Sequence, residues 1–175
     1  MKFSTKKLVA AAMLTAVGVV LSAFSIPIGA SKCFPIQHLI NVVAGVILGP
    51  MYAVLVAFCT SLIRNILATG SLLAFPGSMI GALLAGIAYS KTNKLYAACI
   101  SEVFGTGIIG GMLSYPIATL IMGKEAALFT YVIPFLISTI GGSVIASILL
   151  YSMKKAGTLN SIQNMMCTET NEKSL

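Results

Sequence analysis

Aspartate is absent from this chain of 175 residues, whose acidic side chains are four glutamates against eleven lysines and arginines. Without Asp, neither an aspartyl-protease dyad nor a Ser/His/Asp set can be assembled. His38 is the single histidine, so the HExxH pair of a zinc protease is missing too. There is no GxxxxGK[ST], and the glycines lie in hydrophobic runs rather than in a loop after a strand, so any ATP used must be bound by another subunit. The cysteines, Cys33, Cys59, Cys99 and Cys167, show no CxxC spacing and suggest neither a disulfide framework nor a zinc site. Within apolar runs, Cys59 and Cys99 read as small packing residues. No enzyme activity, metal or cofactor is expected from this inventory. Charge itself is scarce, at 9% of residues against about 25% in a soluble domain.

What is abundant is apolar sequence. Hydrophobic residues make up 58% of the chain and the mean hydropathy is +0.99. A helix crossing a hydrocarbon core of roughly 30 Å needs about 20 such residues, which leaves no room for a soluble catalytic domain. Division at polar and Gly/Pro punctuation predicts an all-α integral membrane bundle of six spans. They run from about Lys7 to Pro27, Gln37 to Gly49, Met51 to Ala68, Phe75 to Tyr89, Leu95 to Met122 with Pro116 as an interruption, and Ala126 to Met153. The loop from Ile28 to Ile36, with Lys32, Cys33 and Pro35, is the first place to look for function. Residues 1–155 form the membrane domain on this reading, and residues 156–175 a polar tail expected to be disordered.

The excess of positive charge reads as topology rather than nucleic-acid binding, for which no basic stripe with interleaved aromatics is present. A cytoplasmic N-terminus puts Lys2, Lys6, Lys7, Lys91, Lys94, Lys154, Lys155 and Lys173 inside and only Lys32 and Lys124 outside, which favours both termini in the cytoplasm. A cleaved secretory signal is the alternative reading of residues 1–30 and would leave five spans. Against it, the run from Leu8 to Ile28 exceeds the usual apolar region of about 7–15 residues. Small residues recur four apart: Ala12 and Ala16, Gly77, Gly81 and Ala85, Gly107 and Gly111, and Ser138, Gly142 and Ala146. Such faces allow close helix approach in lipid, either within the bundle or at a seam with a partner.

Two ionisable residues fall inside apolar spans, where an Arg or Asp costs about 2.5–3.5 kcal/mol at the helix centre. Arg64 lies near the outer end of the third span and serves a ligand or loop, snorkels to the interface, or bonds helix-end carbonyls. Glu102 lies toward the inner half of the fifth span, which favours a structural or partner-facing role and makes a direct pair with Arg64 doubtful. Polar and aromatic residues gather at the inferred outer ends: Gln37, His38 and Asn41 on one helical face, then Arg64 and Asn65, Phe75 and Ser78, and Tyr115, Tyr131 and Pro134. That is the composition of a small-molecule pocket, although Tyr also populates interfacial belts.

Three stretches, KCFPIQHLINVVAGVILGP (Lys32 to Pro50), SLIRNILATGSLLAFPGSMIGALLAGI (Ser61 to Ile87) and SEVFGTGIIGGMLSYPIA (Ser101 to Ala118), resemble the ThiW family, over roughly residues 5–155. The resemblance implies a six-helix substrate-binding (S) component of an energy-coupling factor (ECF) transporter in a prokaryotic plasma membrane. Its substrate would be the thiamine precursor hydroxyethylthiazole, its partners a transmembrane scaffold subunit and two cytoplasmic ATPases. The AxxxA pattern by which S components dock is matched by Ala12 and Ala16. The same family picture places the ligand beneath the first loop. Gln37, His38, Asn41, Asn65 and Ser78 would then serve its hydroxyl and ring nitrogen, Phe34, Phe75 and Tyr131 its ring, with Arg64 near the outer surface. An S component for another vitamin or precursor, and a stand-alone carrier or channel, are the other readings.

Overall fold

The computed structural model describes residues 4–22, 25–28, 31–123, 125 and 127–172. Helix α1 (Thr5–Leu21) is followed by a two-stranded antiparallel hairpin, β1 (Ile26–Ile28) and β2 (Ser31–Cys33), in which Pro27 faces Lys32. Then come α2 (Pro35–Ile47), α3 (Pro50–Ile66), α4 (Ala74–Thr92), α5 (Leu95–Ile121), α6 (Val132–Lys155) and α7 (Thr158–Glu172). Pro35 and Pro50 open α2 and α3, where a missing N–H costs nothing. Gly49 takes a φ of 91° between those two helices, which glycine adopts freely. Helix α4 ends on left-handed Asn93.

Three boundaries differ from expectation. The first helix stops at Leu21, not near Pro27, because Ile26–Ile28 pairs as a strand, and an apolar run alone does not distinguish the two. The sixth helix begins at Val132 rather than near Ala126. The tail expected to be disordered is helical from Thr158 to Glu172. Its average polarity hides a stripe that packs: Leu159 is 1% exposed, Met166 meets the core formed by α1 to α4, and Gln163 Nε2 donates to the Val46 carbonyl at 2.9 Å and to Tyr89 Oη at 3.2 Å.

Helix α2 runs through the middle of the bundle, with Val42 and Ala44 wholly enclosed, against α3, α4, α5 and α6. Outward-facing positions are apolar instead of polar, as at Leu120 (83% exposed), Ile66, Val20 and Ile133, the reverse of a soluble protein's surface. Helices α5 and α6 are long and apolar enough to cross a membrane, and α2 and α3 are shorter apolar helices. Of the small-residue ladders, Gly77, Gly81 and Ala85, and Ser138, Gly142 and Ala146, are buried within the bundle. Gly107 and Gly111 pack on Leu136 and Val132 of α6. Ala12 and Ala16 face outward beside exposed Val9, Met13 and Val20, while Ala11, Thr15 and Gly18 form the inner face of α1.

Helix lengths create the site. With 13 residues, α2 is about 20 Å long, whereas the 24 residues of α6 extend about 36 Å. The first turn of α2 is therefore inset from the end of the bundle, and a hollow remains above it. Helix α5 is wound as a π-helix over Val103–Gly110, directly after Glu102, and again over Ile117–Ile121 after Pro116. Wide turns of this kind are rare and commonly mark functional positions.

Candidate functional site

The hollow is a cavity of about 430 Å³. Its floor is the first turn of α2, with Phe34, Gln37 and His38, and one side is the α3–α4 loop from Ala68 to Ala74. Ser78 and Thr106 come from α4 and α5, and Tyr131, Phe135 and Ser138 from the start of α6. Pro27 and Lys32 of the hairpin stand at its mouth. The hairpin is tied to α6, since the Phe34 backbone N–H donates to Ser138 Oγ at 2.8 Å and the Cys33 thiol donates to the Pro134 carbonyl. Burial pushes the Cys33 thiol pKa up, so it stays protonated as a donor.

Beneath the cavity lies a polar network. Gln37 Nε2 donates to Ser61 Oγ and to Ser78 Oγ, both at 2.8 Å, while its Oε1 accepts from Arg64. The amide hydrogens of Gln37 are thus engaged inside the protein. Ser78 Oγ accepts and does not donate within this network, which leaves its hydroxyl proton for a ligand. Ser138 Oγ is placed in the same way by Phe34 N–H.

Arg64 is wholly buried, which rules out snorkelling. Its guanidinium carbon lies 3.8 Å from the centre of the Phe34 ring, and it donates to Gln37 Oε1 and to the Thr69 carbonyl beyond the end of α3. It touches three parts of the cavity wall without itself lining the cavity. Asn65 plays a similar part, donating from Nδ2 to the carbonyls of Ser61 at 2.8 Å and Ser71 at 3.1 Å.

Glu102 is fully buried and faces inward, which corrects the partner-facing alternative. Its Oε1 collects His38 Nδ1 at 3.0 Å, Asn41 Nδ2 at 3.1 Å and Thr106 Oγ1 at 3.0 Å. Among the described residues no ion pair joins it to Arg64.

Of the residues expected from the sequence, Phe34, Gln37, His38, Ser78 and Tyr131 line the cavity together. Asn41, Arg64 and Asn65 stand behind its wall and hold it, and Phe75 packs on Phe58 with ring centres 5.8 Å apart. Sequence reasoning missed Thr106, Phe135, Ser138 and the α3–α4 loop. Glu102 was itself the signal for Thr106, one turn further along the same helix.

A family model described as thiamine-precursor transporter protein (ThiW) matches residues 8–156. The chain belongs to the ThiW family. It is accordingly a membrane protein of a thiamine-precursor transporter family, as its apolar exterior requires. No curated protein matches the chain. The cavity's volume lies in the usual range for ligand sites, and it combines aromatic walls with a few hydroxyls.

Proposed function

We propose that this chain is the S component of an ATP-driven ECF importer, with six spans and both termini in the cytoplasm of a prokaryotic cell. It captures hydroxyethylthiazole from the outer side and delivers it inward with a scaffold subunit and two ATPases. The observation that carries this reading is the donor set of the cavity. The Ser78 and Ser138 hydroxyls are oriented by Gln37 and by Phe34 N–H so that their protons suit a ring nitrogen or an alcohol oxygen, between the rings of Phe34, Tyr131 and Phe135. Chain direction supports the orientation. Lys7, Lys91, Lys94, Lys154 and Lys155 lie at the helix ends away from the cavity, and Lys32 lies at its mouth.

On this reading the ATP is bound by partners, since the sequence contains no GxxxxGK[ST] motif. A ligand of about nine heavy atoms at a ceiling of roughly −1.5 kcal/mol per atom can reach nanomolar affinity, as a scavenging importer needs. The test is calorimetric binding of hydroxyethylthiazole to the purified protein, with thiamine, its pyrimidine precursor and riboflavin as competitors. Submicromolar binding of the thiazole alone is expected. The cavity volume also admits larger solutes, so tight binding of a competitor would keep the S-component role and replace the substrate. Uptake into liposomes by the chain alone would instead establish a self-sufficient carrier or channel.

Two substitutions separate capture from assembly. Asn65→Ala removes the tie between α3 and the α3–α4 loop and is expected to weaken thiazole binding roughly tenfold, the effect of losing one or two hydrogen bonds. Ala12→Leu with Ala16→Leu crowds the outward face of α1 and should abolish co-purification with the scaffold while calorimetric affinity stays unchanged. Assembly that survives the double substitution would move the docking seam to another helix.

A further inference from the structure

Taking the thiazole-capture reading as its basis, we propose that Glu102 is a positioning residue that fixes the tautomer of His38. Nε2 then enters the cavity as a hydrogen-bond acceptor, and the site selects ligands that carry a free hydroxyl donor. Three side chains converge on a single oxygen of Glu102, His38 Nδ1, Asn41 Nδ2 and Thr106 Oγ1, all within 3.1 Å, the single hydroxyl proton of Thr106 being shared with the Gly77 carbonyl at 3.0 Å. Its Oε2 has no partner among the described residues. Asn41 Nδ2 can only donate, so this oxygen serves as an acceptor and the imidazole proton that faces it resides on Nδ1.

Both groups are closely packed. Glu102 is wholly enclosed, and its carboxyl and Thr106 fill the space that a side chain on Gly81 would take. His38 is backed by Gly142, where a Cβ would come within 2.7 Å of His38 Cβ. The hydrogen bond found for the imidazole among the described residues is on Nδ1, and His38 lines the cavity. Neighbouring Ser78 and Ser138 offer protons, whereas an imidazole that carries its proton on Nδ1 alone offers a lone pair at Nε2. A ligand arm ending in O–H satisfies it. An ether or a ring nitrogen in that place leaves two acceptors facing each other.

The test compares hydroxyethylthiazole with its O-methyl ether by calorimetry on the full chain, wild type, Glu102→Ala and Glu102→Gln. Wild type should bind the alcohol roughly ten- to a hundredfold more tightly than the ether, the penalty for an unpaired buried acceptor. Glu102→Gln, which can keep an amide oxygen at the Oε1 position, should retain that ratio. Glu102→Ala should lose it, the alcohol falling toward the ether. A merely structural Glu102 would weaken both ligands equally and preserve the ratio, which would overturn the proposal. So would equal binding of the two ligands by wild type.

If Glu102→Ala does not fold, nitrogen NMR of wild-type protein labelled in histidine decides the matter, because His38 is the chain's single histidine. An unprotonated Nε2 that shifts on adding the alcohol is expected, and a protonated Nε2 would refute the tautomer. Absence of any thiazole binding by wild type would strike the substrate reading instead, while the ligand-free NMR spectrum would still judge the role of Glu102.

Discussion

Arg64→Met is expected to leave a folded protein that no longer binds its ligand tightly, whereas Arg64→Ala should lose both binding and stability. The difference follows from what the buried guanidinium does. It holds Gln37 Oε1 and the Thr69 carbonyl and covers the Phe34 ring, so the floor, one side and the hairpin end of the cavity share one anchor. Alanine removes most of a large buried side chain and leaves those acceptors unpaired, at about 1–3 kcal/mol each, in addition to the void. Methionine leaves the same acceptors unpaired, but it restores much of the volume and removes the cost of burying the ion. It cannot hold Gln37 and the loop together. Lysine is not a substitute, since it lacks the planar fork and the flat face that lies on Phe34. Thermal unfolding in detergent should therefore rank wild type and Arg64→Met above Arg64→Ala, while calorimetry places both variants at least tenfold below wild type. Wild-type affinity in Arg64→Met would remove Arg64 from the support of the cavity.

Helix boundaries were legible where glycine with proline or a polar turn set them, as at Gly49–Pro50 and Asn93–Lys94. The clustering of Gln37, His38 and Ser78 was legible for a related reason, since uncompensated polar groups in an apolar helix must meet one another. The meeting of His38 with Glu102 was not. Glu102 was assigned to the inner half of its span, away from the outer cluster that holds His38. The short α2 begins well inside the bundle, so His38 reaches the level of Glu102. Loop geometry escaped for another reason. The turn from Leu67 to Leu73 is held by backbone and side-chain bonds to Arg64 and Asn65, and such irregular local ties carry no periodic signal.

Two adjacent glycines of α6 give the sharpest contrast. Gly142→Ala is expected to abolish binding and destabilise the protein, and Gly141→Ala to be harmless or slightly stabilising. A Cβ on Gly142 would overlap the Pro35 carbonyl oxygen and stand 2.7 Å from His38 Cβ and 2.9 Å from the Leu39 backbone nitrogen. These are backbone atoms and the first atom of a side chain, so no rotamer can yield and the first turn of α2 must move away from α6. Overpacking of this kind costs typically 1–3 kcal/mol. It also shifts Phe34 and His38, whose places depend on that turn and on Ser138, one turn before Gly142. At Gly141 the nearest atoms are Pro35 Cβ at 3.7 Å and Cγ at 3.8 Å, ordinary van der Waals contacts. Alanine there keeps only the gain in helix propensity over glycine, about 0.5–1 kcal/mol. Both variants carry the same chemical change in the same helix, so a difference between them isolates the contact between α2 and α6. Thermal unfolding and thiazole calorimetry on the pair measure it. Equal behaviour of the two would mean that α2 does not rest on Gly142, and the cavity floor would have to be supported from α3 and α4 instead.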